Sequence, residues 1–410
     1  MTINVDLRHA VYALSDALDL VGVDDVAHGK RVGLMAAECA RALGLSSDEV
    51  AFLFDLGLLH DIGVSSTQTH QHLVSEFDWS SSQVHAEVGH KLLAGFAPLA
   101  DMALPVKYHH TPWDKLVTLC SDPDLCRKAN LIFLVDRVDA LTAPYYASNS
   151  VLLHTEEIRA AIAQHAGSYF DPALVSVFMD VSRTEAFWLL LEPRSVQAYQ
   201  QDMLATSRAT PISRQALRQL AEIFSRIVDA KSPFTATHSL GVAHLARYLA
   251  RQMQVSEERC DQLEIAGLLH DLGKLRVPDE ILEKPAKLDK TERAIINAHS
   301  FETFQILRNI EGFQEIAHWA AYHHEEPDGT GYPFHLLEKD MPLEARILRV
   351  ADIFQAMVQN RPYRKGLNET EVMQFMWHLV SEGRIQEDIV QVLAQHIHEA
   401  IRVATPEIPA

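Results

Sequence analysis

The stretch Gly267-Leu268-Leu269-His270-Asp271-Leu272-Gly273-Lys274 decides how this chain is read. It sets an imidazole beside a carboxylate at the end of an apolar helical run closed by Gly-Lys, so two metal-ligand types arrive at one helix terminus. The same run stands 210 residues earlier as Gly57-Leu58-Leu59-His60-Asp61-Ile62-Gly63. At that offset His28 answers to His238 and the helix-entry Ser46 to Ser256. The offset grows to 214 for His85/His299, His109/His323 and His110/His324, and to 216 for Asp136/Asp352. Matching residue types in one order over this length mark an internal repeat.

A repeat of about half of the 410 residues predicts two domains, each large enough to bury its own core. With 48% apolar and 22% charged residues, the composition is that of a helix-rich globular protein. No apolar run approaches the length of a membrane span, and Met1-Thr2-Ile3-Asn4-Val5-Asp6 has no secretory character, so a cytoplasmic location without membrane partners is expected. Cys39, Cys120, Cys126 and Cys260 lack C-x-x-C spacing and are expected to be reduced, without metal or redox duty. A net charge of −19 disfavours nucleic-acid polymers as partners. A small phosphate substrate remains compatible where metal ions supply the positive field.

Helical spacing organises the rest. Leu7, Ala10, Val11, Leu14, Ala17 and Leu18 predict a first helix, and Leu217, Leu220, Ala221, Phe224, Ile227 and Val228 its copy. The next helices open near His28 and His238. Ser46 with Glu49 forms a capping-box pattern for a third helix that ends at His60-Asp61, with Gly63 as the stop. Gln83 to Leu93 and Glu292 to Leu307 read as helices carrying His85 and His299, and the paired histidines close further helical runs. Asp136 and Asp352 lie inside apolar helical segments. No strand alternation is evident, so the fold class is all-α, with two tandem domains at 1–194 and 213–410 and a linker or linking helix at 195–212.

His238, His270, Asp271, His299, His323, His324 and Asp352 are too widely spaced for one helix, so several helices must converge to bring them together. Five imidazoles and two carboxylates exceed the needs of one ion. A pair of ions sharing a carboxylate fits this inventory, with Asp271 as the bridge and mixed N/O ligation suited to Fe or Mn. His318, His335, His378, His396 and His398 have no counterparts in the other copy and are read as ordinary histidines.

The run from His238 through His270-Asp271-Leu272-Gly273-Lys274, His299, His323-His324-Glu325, Asp328-Gly329-Thr330-Gly331-Tyr332-Pro333 and Asp352 resembles the HD-GYP branch of the HD phosphohydrolase superfamily. Pro278, Ile281-Leu282, Arg346-Ile347, Ala351 and Arg361-Pro362-Tyr363-Arg364 extend the match, which spans roughly Leu217 to Gln395. The resemblance implies a phosphodiesterase that opens a cyclic dinucleotide at iron or manganese. Cyclic di-GMP is the expected substrate, giving the linear dinucleotide pGpG or, on further cleavage, GMP. A mixed guanine-adenine cyclic dinucleotide is the alternative, and a receptor that does not cleave its ligand is a second. The resemblance also implies that His238, His270, Asp271 and Asp352 hold one metal, and Asp271, His299, His323 and His324 the second. Asp271 and Lys274 would be catalytic. Lys274, Asp328, Gly329, Gly331, Tyr332, Arg361 and Arg364 would bind substrate, fixed positive charge being needed where negative charge develops at phosphorus. Phe234 stands where some members carry a further metal-binding carboxylate, and Gln355 where an aspartate is usual.

The amino-terminal copy resembles the wider HD superfamily. It keeps His28, His60, Asp61, His85, His109, His110 and Asp136 as a candidate second metal set, and Asp24 could add a ligand. It has Val64 in place of Lys274, and Thr111-Pro112-Trp113-Asp114 where the other copy runs into its glycine-tyrosine-proline loop. This divergent domain is expected to regulate or to mediate dimerisation, with a second copy of the chain as a candidate partner.

Overall fold

The structure is a computed structural model that describes residues 5–22, 27–75, 82–206, 210–231, 237–360 and 365–406. Among the described residues it is helical almost throughout. The only sheet among the described residues is an antiparallel pair, β1 (Val5–Asp6) against β2 (Pro211–Ile212). Arg361, Arg364, Asp24 and Phe234 lie outside the described residues. No helix among the described residues is long and apolar enough to cross a membrane.

The chain divides into two compact units, Leu18–Ala209 on one side and Met1–Ala17 with Thr210–Ala410 on the other. The expected division is 1–194 and 213–410, with a linker or linking helix at 195–212. The first helix, α1 (Leu7–Asp19), groups up to Ala17 with the carboxy-terminal unit, where Val5 pairs with Ile212 and Leu7 N–H donates to Thr210 O at 2.8 Å. The expected linker is largely the helix Pro193–Thr206, which belongs to the amino-terminal unit.

In the amino-terminal unit the site is carried by α2 (His28–Ala42), α3 (Ser47–Leu59), α4 (Gln83–Ala94), α5 (Ala103–Tyr108) and α6 (Pro123–Tyr146). The carboxy-terminal unit uses α7 (Arg214–Ala230), α8 (His238–Gln252), α9 (Glu257–Leu269), α10 (His299–Leu307), α11 (Gln314–Ala321) and α12 (Leu343–Val358). The segment read as one helix from 292 to 307 is two, Lys290–Asn297 and α10, broken at Ala298. The break leaves Ile296 O available, and it lies 2.6 Å from His299 Nδ1.

Caps fix where these helices start. Ser46 Oγ accepts from Glu49 N–H at 3.3 Å while a Glu49 carboxylate oxygen accepts from Ser46 N–H at 3.0 Å, closing a reciprocal box. The counterpart is one-sided, because Arg259 at the matching position has no acceptor to return to Ser256. Ser46→Ala is therefore expected to lower stability by about 1 kcal/mol in denaturant titration.

Glycines set how closely the helices cross. A Cβ on Gly57 would fall 2.4 Å from Gly33 Cα, so α2 and α3 touch backbone to backbone. In the other unit Gly267 meets Ala243 in the same way, 2.7 Å from its Cα. These crossings bring His60 beside His28 and His270 beside His238. One turn later, a Cβ on Gly273 would lie 2.1 Å from His299 O, and one on Gly63 2.0 Å from His85 O. Gly273→Ala must push α10 away and is expected to cost about 1–3 kcal/mol, read by thermal unfolding.

Candidate metal centre

Each unit brings its predicted ligands to one point. In the carboxy-terminal unit Asp271 is central: its Oδ2 lies 3.4 Å from His270 Nε2 and 3.7 Å from His238 Nε2. Its other oxygen, Oδ1, lies 3.4 Å from His299 Nε2 and 3.7 Å from His323 Nε2. Asp352 Oδ1 adds 3.3 Å to His238 and 3.9 Å to His270. His299, His323 and His324 form a further donor group. The two oxygens of Asp271 thus face two different donor sets, so this carboxylate is the candidate for sharing between two ions.

The amino-terminal unit repeats these distances closely. Asp61 Oδ2 lies 3.4 Å from His60 Nε2 and 3.7 Å from His28 Nε2, and Asp61 Oδ1 lies 3.1 Å from His85 Nε2 and 3.6 Å from His109 Nε2. Asp136 Oδ1 is 3.4 Å from His28 and 3.9 Å from His60. His110 joins the group of Asp61, His85 and His109.

The donors are oriented as well as gathered. The Nδ1 atoms of His60, His270, His109 and His323 lie 2.5–2.8 Å from the carbonyl oxygens three residues back, Gly57, Gly267, Val106 and Ala320. Donating there holds the proton on Nδ1 and leaves the Nε2 lone pair directed inward, as metal-ligating histidines require. His28 Nδ1 instead meets Asp139 Oδ2 at 2.8 Å, and His238 Nδ1 meets Gln355 Oε1 at 2.6 Å. Gln355 thus fills the role expected of an aspartate, without the charge.

The residues present fit metal ions. Asp61 Oδ1, His110 Nε2, His270 Nε2 and Asp271 Oδ1 are buried and have no hydrogen-bond partner, a costly state unless another ligand satisfies them. Donors about 2.1 Å from one ion stand about 3.0–3.4 Å apart, close to the shorter separations observed. Burial and the neighbouring imidazoles hold His110, His323 and His324 well below the ordinary imidazole range. Burial alone would raise Asp271, but His270 and Lys274 outweigh it and hold the carboxyl well below its usual range. Neutral imidazole and ionised carboxylate are the forms that bind metal.

The two centres differ in what surrounds them. Lys274 Nζ lies 2.5 Å from Asp271 Oδ2, whereas Val64 at the matching position is buried and apolar. Asp136 shares Oδ2 with the Arg137 guanidinium at 2.8 Å, where the other copy has Ile353 beside Asp352. Tyr332 stacks on His324, ring centroids 4.9 Å apart, so the loop tyrosine rests on the imidazole of a candidate metal ligand. Asp328 is exposed and its Oδ1 accepts from Thr330 N–H and Oγ, making a turn of its own.

Several residues that shape the centres are not evident in the sequence pattern. Asp139, 1% exposed, receives the Arg31 guanidinium at 2.6 and 2.9 Å and the Tyr146 hydroxyl at 2.6 Å, besides His28. Its counterpart is Gln355, so identity matching passes over it. Asp19 and Asp229 accept from Gly29 N–H and Ser239 N–H, just after the first histidines, and the 210-residue offset finds that pair.

The fold and site together define a tandem HD-domain protein with a His/Asp centre in each unit. HD domain family models match residues 26–141 and 222–389. The 3'3'-cGAMP-specific phosphodiesterase 1 of Vibrio cholerae is 37% identical over 414 residues, covering 99% of this chain and 95% of that protein. A cyclic di-GMP phosphodiesterase of Pseudomonas aeruginosa is 34% identical over 174 residues, 42% of each chain. The crystal structure of a cyclic GMP-AMP specific phosphodiesterase of V. cholerae shares the fold, with a TM-score of 0.65 at 24% identity, over 96% of this chain and 98% of that one. The chain belongs to the HD-GYP-type cyclic dinucleotide phosphodiesterases of the HD-domain superfamily.

Proposed function

We propose that the carboxy-terminal centre opens one phosphodiester of a 3',3'-cyclic dinucleotide to give the linear dinucleotide, with 3'3'-cGAMP as the first substrate to test. The observation that carries this reading is Asp271 set between two imidazole groups with the Lys274 ammonium on its Oδ2. The similarity over nearly the whole chain to a 3'3'-cGAMP-specific enzyme favours the mixed dinucleotide over the cyclic di-GMP expected from sequence. Cyclic di-GMP stays as the second reading, supported by the relative that acts on it.

His238, His270, Asp271 and Asp352 would hold one divalent ion, and Asp271, His299, His323 and His324 another. When bound, such a pair supplies Lewis acidity to activate water and to neutralise charge growing at phosphorus. Lys274, whose ammonium donates to Asp271 Oδ2, would hold a phosphate oxygen beside it. Arg361 and Arg364 are assigned to the remaining phosphate charge by resemblance. The amino-terminal residues His28, His60, Asp61, His85, His109, His110 and Asp136 would hold metal of their own. Lacking a counterpart of Lys274 and of the glycine-tyrosine-proline loop, that domain is assigned a regulatory role.

Protein loaded anaerobically with Fe(II) or Mn(II) is given 3'3'-cGAMP or cyclic di-GMP, and products are separated by chromatography. Linear product from 3'3'-cGAMP at a higher kcat/KM supports the reading. Preference for cyclic di-GMP selects the second reading, and no product from either with full metal content sinks both.

A further inference from the structure

Glu325 follows the paired histidines directly and is fully buried. One carboxylate oxygen accepts from Phe334 N–H at 2.6 Å and the other from Leu336 N–H at 2.9 Å, so this side chain ties down a loop that begins at its own position. Between these anchors Tyr332 N–H donates to His324 O at 3.2 Å, and the ring lies on the His324 imidazole at 28°. Gly331 passes so close beneath that a Cβ there would fall 2.2 Å from Glu326 N and 2.4 Å from Glu325 Cα. Phe334 closes the far side against Tyr322 and Phe304, with centroids 5.3 and 5.6 Å apart. The loop therefore holds no independent position: its backbone is fixed by a carboxylate one residue from a candidate metal ligand.

The other unit supplies the contrast. Thr111 stands where Glu325 does, and the chain enters a helix at Trp113–Leu119 two residues later. The metal-ligand geometry is nearly the same in both units, so this clamp is not needed to assemble the imidazoles. What it adds is the placement of Tyr332 over the face of His324.

We propose that Glu325 is a positioning residue for substrate: its paired backbone contacts hold the 329–336 loop so that Tyr332 forms a fixed wall beside the metal centre. This rests on the assignment of the carboxy-terminal centre as the hydrolytic site. Loss of the clamp frees the wall while the ligands stay on their own helices, so substrate binding suffers more than the chemical step. The two acceptor oxygens are both required, because an amide would turn an N–H donor toward a backbone N–H.

Glu325→Gln and Gly331→Ala release the loop from opposite sides, one by removing an acceptor and one by intruding a Cβ. Each is measured in metal-loaded full-length protein for metal content, Tm, KM, kcat and the rate of chymotrypsin cleavage after Phe334, the bond after Tyr332 being blocked by Pro333. The expected result for both is unchanged metal content, a Tm lowered by a few degrees at most, KM raised about tenfold or more with kcat within about threefold, and cleavage that is fast only in the variants. Cleavage as slow as in wild type overturns the clamp. Fast cleavage with unaltered KM, or an equal loss of metal, overturns the positioning role. Wild type that hydrolyses no cyclic dinucleotide refutes the hydrolytic assignment, and the positioning role with it, while the cleavage rates still report on the clamp.

Discussion

Asp271→Asn should lower kcat on the order of 10³-fold and strip metal from the carboxy-terminal centre. The substitution keeps the shape of the side chain but removes its charge and one of two oxygens that face separate donor sets, His238 and His270 on one side, His299 and His323 on the other. Steady-state product formation and elemental analysis of the purified variant check this. Asp61→Asn is the informative companion, since it makes the same change in a centre whose distances are closely similar. Activity retained in Asp61→Asn and lost in Asp271→Asn assigns the chemistry to the unit that has Lys274. Equal losses would refute that assignment and make the amino-terminal centre catalytic or essential to catalysis.

Asp139→Asn should cost the amino-terminal unit about 3–5 kcal/mol, because the Arg31 guanidinium is left buried opposite a neutral group. Two-probe denaturant unfolding reads the loss in that unit. The same carboxylate sets the charge of His28. Burial opposes protonation there, but the hydrogen bond and charge of Asp139, with Asp136 and Asp61 behind it, raise the imidazole from 6.5 to about 9. A histidine raised on folding contributes stability that is complete below pH 6.5 and lost as pH rises through about 9. The metal-free wild type should show that slope, and Asp139→Asn, which leaves Asp136 and Asp61 in place, should show much less of it. Metal binding requires the neutral ring, so the affinity of the amino-terminal centre should climb with pH up to about 9. Affinity that is flat from pH 6 to 9 would show that His28 is not a ligand. In the carboxy-terminal unit the neutral Gln355 faces His238 Nδ1, and against its burial Asp352 and Asp271 raise that imidazole, so replacing Gln355 by Asp should raise it further and strengthen the pH dependence.

Much of this was legible from residues alone. The repeat around His60-Asp61 and His270-Asp271 picked out all fourteen candidate ligands, and helical spacing placed them at helix ends or inside apolar helices. Identity between the copies was also the limit of that reading. It passed over Asp139, whose counterpart is Gln355, and Arg31, whose counterpart is Gly241, because the surroundings of the first histidine have diverged. Periodicity likewise describes α1 as the first helix of its repeat, but nothing local records that Val5–Asp6 pairs with Pro211–Ile212.

The sequence by itself determined the all-helical class, the duplication and the set of candidate ligands, since these depend on residue type and on spacing along one chain. Only the tertiary structure decided which oxygen of Asp271 faces which imidazole, that Tyr332 lies on His324, and that Glu325 ties the loop from within. Those features depend on contacts between helices and loops that include close-packed backbone at Gly267, Gly273 and Gly331. Such contacts join residues with no shared period, so no pattern along the chain carries them.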